Sequence, residues 1–251
     1  MGKYLPFVNQ CIQKFKPIIE EKTGIKLEDV IAREASKYPD FDTDDHSNVP
    51  MFVDNDYPGT IFVNEEIYDK IEDHFSKMTL HTTHELSHLA HKKLIINLLK
   101  EKVLEQNLQP PFEEARKIAY KYHKSKSFRE GFAEWMSLKK LFNIYEKKIQ
   151  NRAIEEMISI LSGEGCPERK SYERGYKFYD QVMKATCGEI FKIARSPPIY
   201  ELEVRIPLLY LLRRFPAKTI KSMPRLIAEG IKTNYLKAYY KYIHGYNLVD
   251  I

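Results

Sequence analysis

The sequence lacks any long uncharged apolar segment, although 43% of its 251 residues are hydrophobic. A helix that crosses a membrane needs about 20 consecutive apolar residues, so we expect no membrane partner. The amino-terminal stretch MGKYLPFVNQCIQKFKPIIEEKTG places Asn, Gln and Lys between its apolar residues. This pattern predicts an amphipathic helix and not a secretory leader. The sequence therefore predicts a soluble, cytoplasmic protein.

The sequence also has few cysteines and no large excess of either positive or negative charge. Cys11, Cys166 and Cys187 lie at wide, irregular spacings, which excludes a disulfide framework and a paired thiolate metal site. The 40 Lys and Arg residues face 35 Asp and Glu residues, so the net charge is only +5. We therefore expect no nucleic-acid partner. A basic nucleic-acid-binding protein, whose helices serve only core packing, is the less favoured alternative.

The order of apolar patterns predicts the fold class. Two short apolar segments flank the turn residues 55–59, and a β-prone segment, IKLEDVIARE, precedes them. From Glu65 onwards the apolar residues follow helical periodicity, including a helix from about Lys77 to Gln106. We predict an α+β fold, mainly helical, with a small N-terminal sheet packed on that helix and a C-terminal helical lobe. Without repeats or a clear linker, residues 1–251 are predicted to form one unit with approximate lobes 1–108 and 109–251.

Half of the eight histidines lie in the segment HTTHELSHLAH, residues 81–91. His84 and His88 are four residues apart, so on a helix their nitrogens can converge on one tetrahedral ion. Zinc lowers the pKa of a bound water to about 7 and polarises a scissile carbonyl. Glu85 points to the side where that water would lie, which makes it a candidate general base. The pattern predicts a zinc-dependent hydrolase.

The remaining ligand must come from outside this segment, because a catalytic zinc site has three protein ligands and one open position. His81 and His91 lie three residues outside the histidine pair and are predicted to line the cleft, support the ligands or pack at the core edge. No H-x-x-G-x-x-H continuation follows, which excludes the peptidases that take a third histidine there. Downstream, SFREGFAEWMSLKKL offers Glu130 and Glu134 on one helical face.

The segments HELSH and EGFAEW together resemble the gluzincin zinc metallopeptidases, in particular the aminopeptidase N group and more distantly thermolysin. The resemblance implies a zincin-like fold and one zinc ion bound by His84, His88 and Glu130. It implies that Glu85 activates water and that Glu134 hydrogen-bonds a ligand histidine. An outer carboxylate of this kind fixes the tautomer and orientation of the imidazole.

Two further segments extend the resemblance. SYERGYKF is similar to the Y-E-K-G segment of aminopeptidase N, which implies that Tyr172 stabilises the oxyanion. The segment GTIFVN lies where gluzincins place the edge strand that pairs with a peptide or protein substrate. The implied substrate-binding residues are Gly59, Thr60, Ile61, Phe62, Val63 and Asn64.

Two departures from the aminopeptidase N pattern bear on the activity. The predicted edge strand has no G-x-M-E-N signature, which slightly favours an endopeptidase over an aminopeptidase. The stretch between His88 and Glu130 is longer than in that group, and a helical hairpin is predicted around Pro110 and Pro111. The alternative is a helical protein that binds zinc without catalysis. The presence of Glu85 argues against it, because a structural zinc site needs no base.

Overall fold

The computed structural model describes residues 2–39, 41, 48–54, 56–105, 125–162, 167–185, 204 and 206–214. These residues form a mainly helical α+β fold with a three-stranded sheet near the N-terminus, which confirms the predicted fold class. A π-helical segment, Met136–Lys140, directly follows the fourth helix. The elements in chain order are α1 (Leu5–Thr23), β1 (Ile31–Glu34), β2 (Met51–Val53), β3 (Thr60–Val63), α2 (Glu65–Tyr68), α3 (His74–Glu105), α4 (Lys126–Trp135), α5 (Lys147–Ser162), α6 (Pro167–Ala185) and α7 (Pro207–Arg214).

Helix α1 is amphipathic as predicted, and its apolar face packs against α3. The buried side chains Val8, Ile12, Phe15 and Ile19 recur every three or four residues, so they lie on one face. Gly24 ends the helix with a φ of 68°, a left-handed conformation that glycine adopts without strain. Helix α3 is thereby held along one side by a covering helix.

Strand β3 is the central strand of the sheet, which corrects the prediction that residues 59–64 form a substrate-binding edge. The strand order is β1-β3-β2, with β1 parallel and β2 antiparallel to β3. On one side the Gly59 carbonyl accepts from the Ile31 N–H at 2.9 Å, and on the other the Asn64 N–H donates to the Pro50 carbonyl at 2.9 Å. Because both sides of β3 are paired, its main chain cannot pair with a peptide. The prediction of a strand at these residues is confirmed, but its place in the sheet is wrong.

The two outer strands of the sheet differ in how their edges are covered. The Ala32 N–H of β1 donates to the Asn9 side-chain oxygen at 3.0 Å, so α1 occupies that edge. On β2, the alternation of an antiparallel ladder directs the main-chain groups of Met51 and Val53 away from β3. Within the described residues no strand pairs with β2 on that side. Strand β2 also contacts helix α3, because the Thr82 hydroxyl of α3 lies 3.7 Å from the Met51 sulfur.

The chain divides into two compact units. Unit 1 comprises Met1–Ala119 and Phe132–Ala153, and unit 2 comprises Tyr120–Gly131 and Ile154–Ile251. Helix α4 therefore begins in unit 2 and ends in unit 1. The lobes 1–108 and 109–251 stay a prediction, and the hairpin predicted around residues 110–111 lies outside the described residues. In the described part of the chain, no helix is long and apolar enough to cross a membrane.

Within unit 2, α4 and α6 touch backbone to backbone at two glycines. A Cβ atom added at Gly175 would lie 1.8 Å from the Ser127 carbonyl oxygen and 2.6 Å from the Gly131 Cα. A Cβ atom added at Gly131 would lie 2.1 Å from the Gly175 carbonyl carbon. Side chains cannot fit at either position, so the glycines set the distance between these helices. Both belong to the segments that carry the family resemblance, EGFAEW and YERG.

Replacing Gly175 with alanine is expected to destabilise the protein. Alanine normally favours a helix over glycine by about 1 kcal/mol, but here its methyl group collides with a backbone that cannot rotate away. Forced overpacking of this kind costs about 1–3 kcal/mol. Thermal unfolding of Gly175→Ala and of Lys170→Ala, at an exposed position of the same helix, would measure the difference. A Gly175→Ala variant as stable as the Lys170→Ala control would show that the helices separate freely.

Candidate metal centre

The two histidines of the H-E-x-x-H segment face each other across one turn of α3. Their Nε2 atoms are 3.0 Å apart, and their ring centroids are 4.6 Å apart. Two nitrogens bound at about 2.0–2.1 Å to one tetrahedral ion lie about 3.3 Å from each other. Helical spacing alone therefore brings His84 and His88 close to the separation that a shared ion requires.

Glu130 of α4 completes a group of three potential ligands. One ligand atom each from His84, His88 and Glu130 lies within 4.8 Å of the other two, and all three side chains are partly buried. Two imidazoles and one carboxylate form a nitrogen and oxygen donor set that fits a zinc ion and leaves a fourth position open. Glu130 and Glu134 both belong to helix α4, Lys126–Trp135.

Glu134 contacts the other side of the His84 ring. Its Oε1 atom lies 3.4 Å from His84 Nδ1, and both side chains are 14% exposed. A carboxylate at Nδ1 favours the tautomer that carries the proton there, which leaves the Nε2 lone pair directed toward His88. Of the two glutamates predicted on one face of α4, Glu134 lies beside His84 Nδ1 and Glu130 belongs to the group of potential ligands.

The outer histidines of the segment have separate partners. His91 is 1% exposed and stacks on the Phe132 ring of α4, with centroids 4.2 Å apart and planes 18° apart. This stacking joins α3 to α4 at a residue between Glu130 and Glu134. His81 Nδ1 lies 2.6 Å from the Tyr68 hydroxyl. Burial lowers the pKa of His81 to about 3, so the ring is neutral at pH 7.

The predicted base, Glu85, is 8% exposed and lies close to a residue that sequence reasoning missed. Tyr68 at the end of α2 is fully buried, and burial together with the nearby Glu85 charge raises the pKa of its phenol well above the usual value. The hydroxyl therefore keeps its proton beside the carboxylate. Tyr68 carries no local signal in the sequence, because the segment EEIYDK has neither a motif nor a distinctive spacing.

Tyr172 lies partly buried on α6 in unit 2. It precedes Gly175 by three residues, so both occupy the helix face that contacts α4. On α4 the contacting backbone is Gly131, the neighbour of Glu130. The predicted oxyanion donor and the predicted third ligand are therefore each within about one helical turn of the same crossing point.

Comparisons with models of known protein families, with curated proteins and with solved structures found no match. The family resemblance consequently rests on three short segments of the sequence. Those segments are HELSH, EGFAEW and YERG.

Proposed function

We propose that the chain is a gluzincin-like zinc metallopeptidase, an enzyme that hydrolyses peptide bonds. The observation that carries the proposal is the convergence of His84, His88 and Glu130, whose ligand atoms lie within 4.8 Å of one another. Glu134 supports the proposal, because its carboxylate lies 3.4 Å from His84 Nδ1, and an outer carboxylate is the usual partner of a metal-binding imidazole. In this proposal the three residues hold one zinc ion, and Glu134 orients His84.

Glu85 is the general base in the proposed reaction. Zinc, when bound, acidifies a water molecule and polarises the scissile carbonyl. The Glu85 carboxylate takes a proton from the attacking water, the carbonyl carbon gains the oxygen, and the C–N bond breaks as the same proton passes to the leaving amine. Glu85 is only 8% exposed, so its carboxylate is largely shielded from bulk water.

The substrate is proposed to be a peptide or protein chain in extended conformation. Because β3 is the central strand, the proposed binding edge is β2, whose Met51 and Val53 main-chain groups point away from the sheet. Strand β2 packs on α3 at Thr82, two residues before the first histidine ligand. An edge that offers main-chain donors and acceptors accepts many side chains, which agrees with a slight preference for endopeptidase over aminopeptidase activity.

Metal content and peptide hydrolysis, measured on the same purified protein, test the proposal. We expect about one zinc per chain and hydrolysis of an unstructured protein substrate such as casein, with both lost after chelation and both restored by zinc. Zinc without hydrolysis would favour a non-catalytic zinc-binding protein. A metal-free preparation that binds nucleic acid with steep salt dependence would favour the basic binding protein instead.

Replacing Tyr172 with phenylalanine is expected to lower kcat by about 10²- to 10³-fold, the usual loss when one oxyanion donor is removed. Zinc content should not change, because Tyr172 is not one of the proposed ligands. Tyr176→Phe is a matched control on the same helix, since that hydroxyl contacts the Met157 sulfur at 3.2 Å. If Tyr172→Phe raises only KM, the residue binds substrate and does not stabilise the oxyanion.

A further inference from the structure

The buried hydroxyl of Tyr145 joins helix α3 to the π-helical segment that follows α4. Tyr145 is 4% exposed, and its hydroxyl lies 2.8 Å from the Thr83 hydroxyl of α3. The same hydroxyl donates to the Ser137 carbonyl at 2.9 Å. Thr83 and Ser137 are also buried, and all three residues belong to unit 1. Burial raises the pKa of the Tyr145 phenol, so the hydroxyl remains a donor at neutral pH.

The Ser137 carbonyl depends on this contact because of the π-helical segment. In an α-helix the Leu141 N–H would donate to Ser137, but here it donates to Met136 at 3.0 Å. The Ser137 carbonyl therefore does not accept the α-helical hydrogen bond from Leu141, and it accepts one from the Tyr145 hydroxyl instead. A buried carbonyl without a partner is costly, so the π-helical segment and the tyrosine support each other.

Thr83, Tyr145 and Ser137 form a hydrogen-bonded bridge, and both of its ends lie beside the candidate metal centre. Thr83 immediately precedes His84 in α3. Ser137 follows Glu134 by about one turn, and its own hydroxyl donates to the Glu134 carbonyl at 3.4 Å. The bridge therefore holds the two backbones near the point where Glu134 lies 3.4 Å from His84 Nδ1.

We propose that Tyr145 is a positioning residue for the metal centre, which sets the separation of α3 and α4 through Thr83 and Ser137. The inference rests on the proposed function, because it requires that His84 binds a metal ion. The ring is suited to the role because Phe15 packs against it edge to face, with centroids 5.5 Å apart. Tyr145 has no local motif, and it acts on the ligands only through the two backbones.

The test is the zinc affinity of the Tyr145→Phe variant, measured by competition with a chelator. Phenylalanine keeps the ring and removes both contacts of the hydroxyl. Loss of a group that orients a ligand weakens metal binding by about 10- to 100-fold, and Tyr145 acts one residue further out, so we expect about tenfold. Tyr38→Phe is the matched control: this buried tyrosine lies in a separate aromatic cluster, and its hydroxyl contacts Asp54 at 3.4 Å. It should lower the melting temperature without changing zinc affinity.

A second pair of variants tests the same bridge if Tyr145→Phe does not fold. Thr83→Val keeps the shape of the side chain but removes its hydroxyl, which contacts Tyr145 and donates to the Leu80 carbonyl at 2.9 Å, so it should weaken zinc binding. Thr83→Ser keeps a hydroxyl and should have the wild-type affinity. Wild-type zinc affinity in Tyr145→Phe or in Thr83→Val would overturn the inference and leave the proposed function intact. A wild-type protein that binds no zinc would overturn both.

Discussion

Replacing Glu85 with glutamine is expected to abolish most peptide hydrolysis while zinc binding and the fold are preserved. Glutamine has nearly the shape of glutamate, so it fits the same buried position beside Tyr68. It cannot accept a proton from water, and loss of a positioned general base costs about 10²- to 10⁴-fold in rate. The decrease should appear in kcat and in kcat/KM alike, since the interaction is made in the transition state.

The measurement is steady-state hydrolysis of one peptide by variant and wild type at equal zinc content. Glu66→Gln, at an exposed position of α2, is a control for the loss of one carboxylate in unit 1. Circular dichroism of both variants would verify the fold. Unchanged turnover in Glu85→Gln would remove Glu85 from the reaction, even if the zinc site itself were demonstrated.

The second large effect is expected at Glu130, and it distinguishes this residue from Glu134. Glu130→Ala leaves two histidines, so the variant should lose zinc readily and be inactive. Glu134→Ala keeps all three proposed ligands and removes only the group 3.4 Å from His84 Nδ1. Loss of such an outer partner weakens metal binding or activity by about 10- to 100-fold. We therefore expect Glu134→Ala to retain zinc at saturating metal with reduced turnover.

Zinc titration of both variants against a competing chelator separates the two roles. Glu134→Gln is the matched variant, because its amide oxygen can still accept from Nδ1 and should recover part of the affinity that alanine loses. If Glu134→Ala releases the metal while Glu130→Ala holds it, the ligand lies one turn further along α4 than proposed.

The local features of the candidate site follow from helical periodicity and are readable in the sequence. A spacing of four residues places His84 and His88 on one face whatever the rest of the fold does, and their nitrogens lie 3.0 Å apart. The same spacing places Glu130 and Glu134 on one face of α4. Periodicity also predicted α1, α3 and the position of each strand, because these patterns depend on neighbours along the chain.

The tertiary structure decided which elements meet. The sequence of β3 is that of any short buried strand, and its central position depends on β1 and β2, which approach from two separate parts of the chain. Within unit 1, stacking of His91 on Phe132 joins the end of α4 to α3. Within unit 2, the close contact between Gly131 and Gly175 joins the beginning of α4 to α6. Tyr68 contacts His81, which is 13 positions away along the chain. Tyr145 contacts Thr83, which is 62 positions away. Such contacts leave no periodic trace in the sequence, because the packing of distant side chains, and not the local backbone, selects the residue at each position.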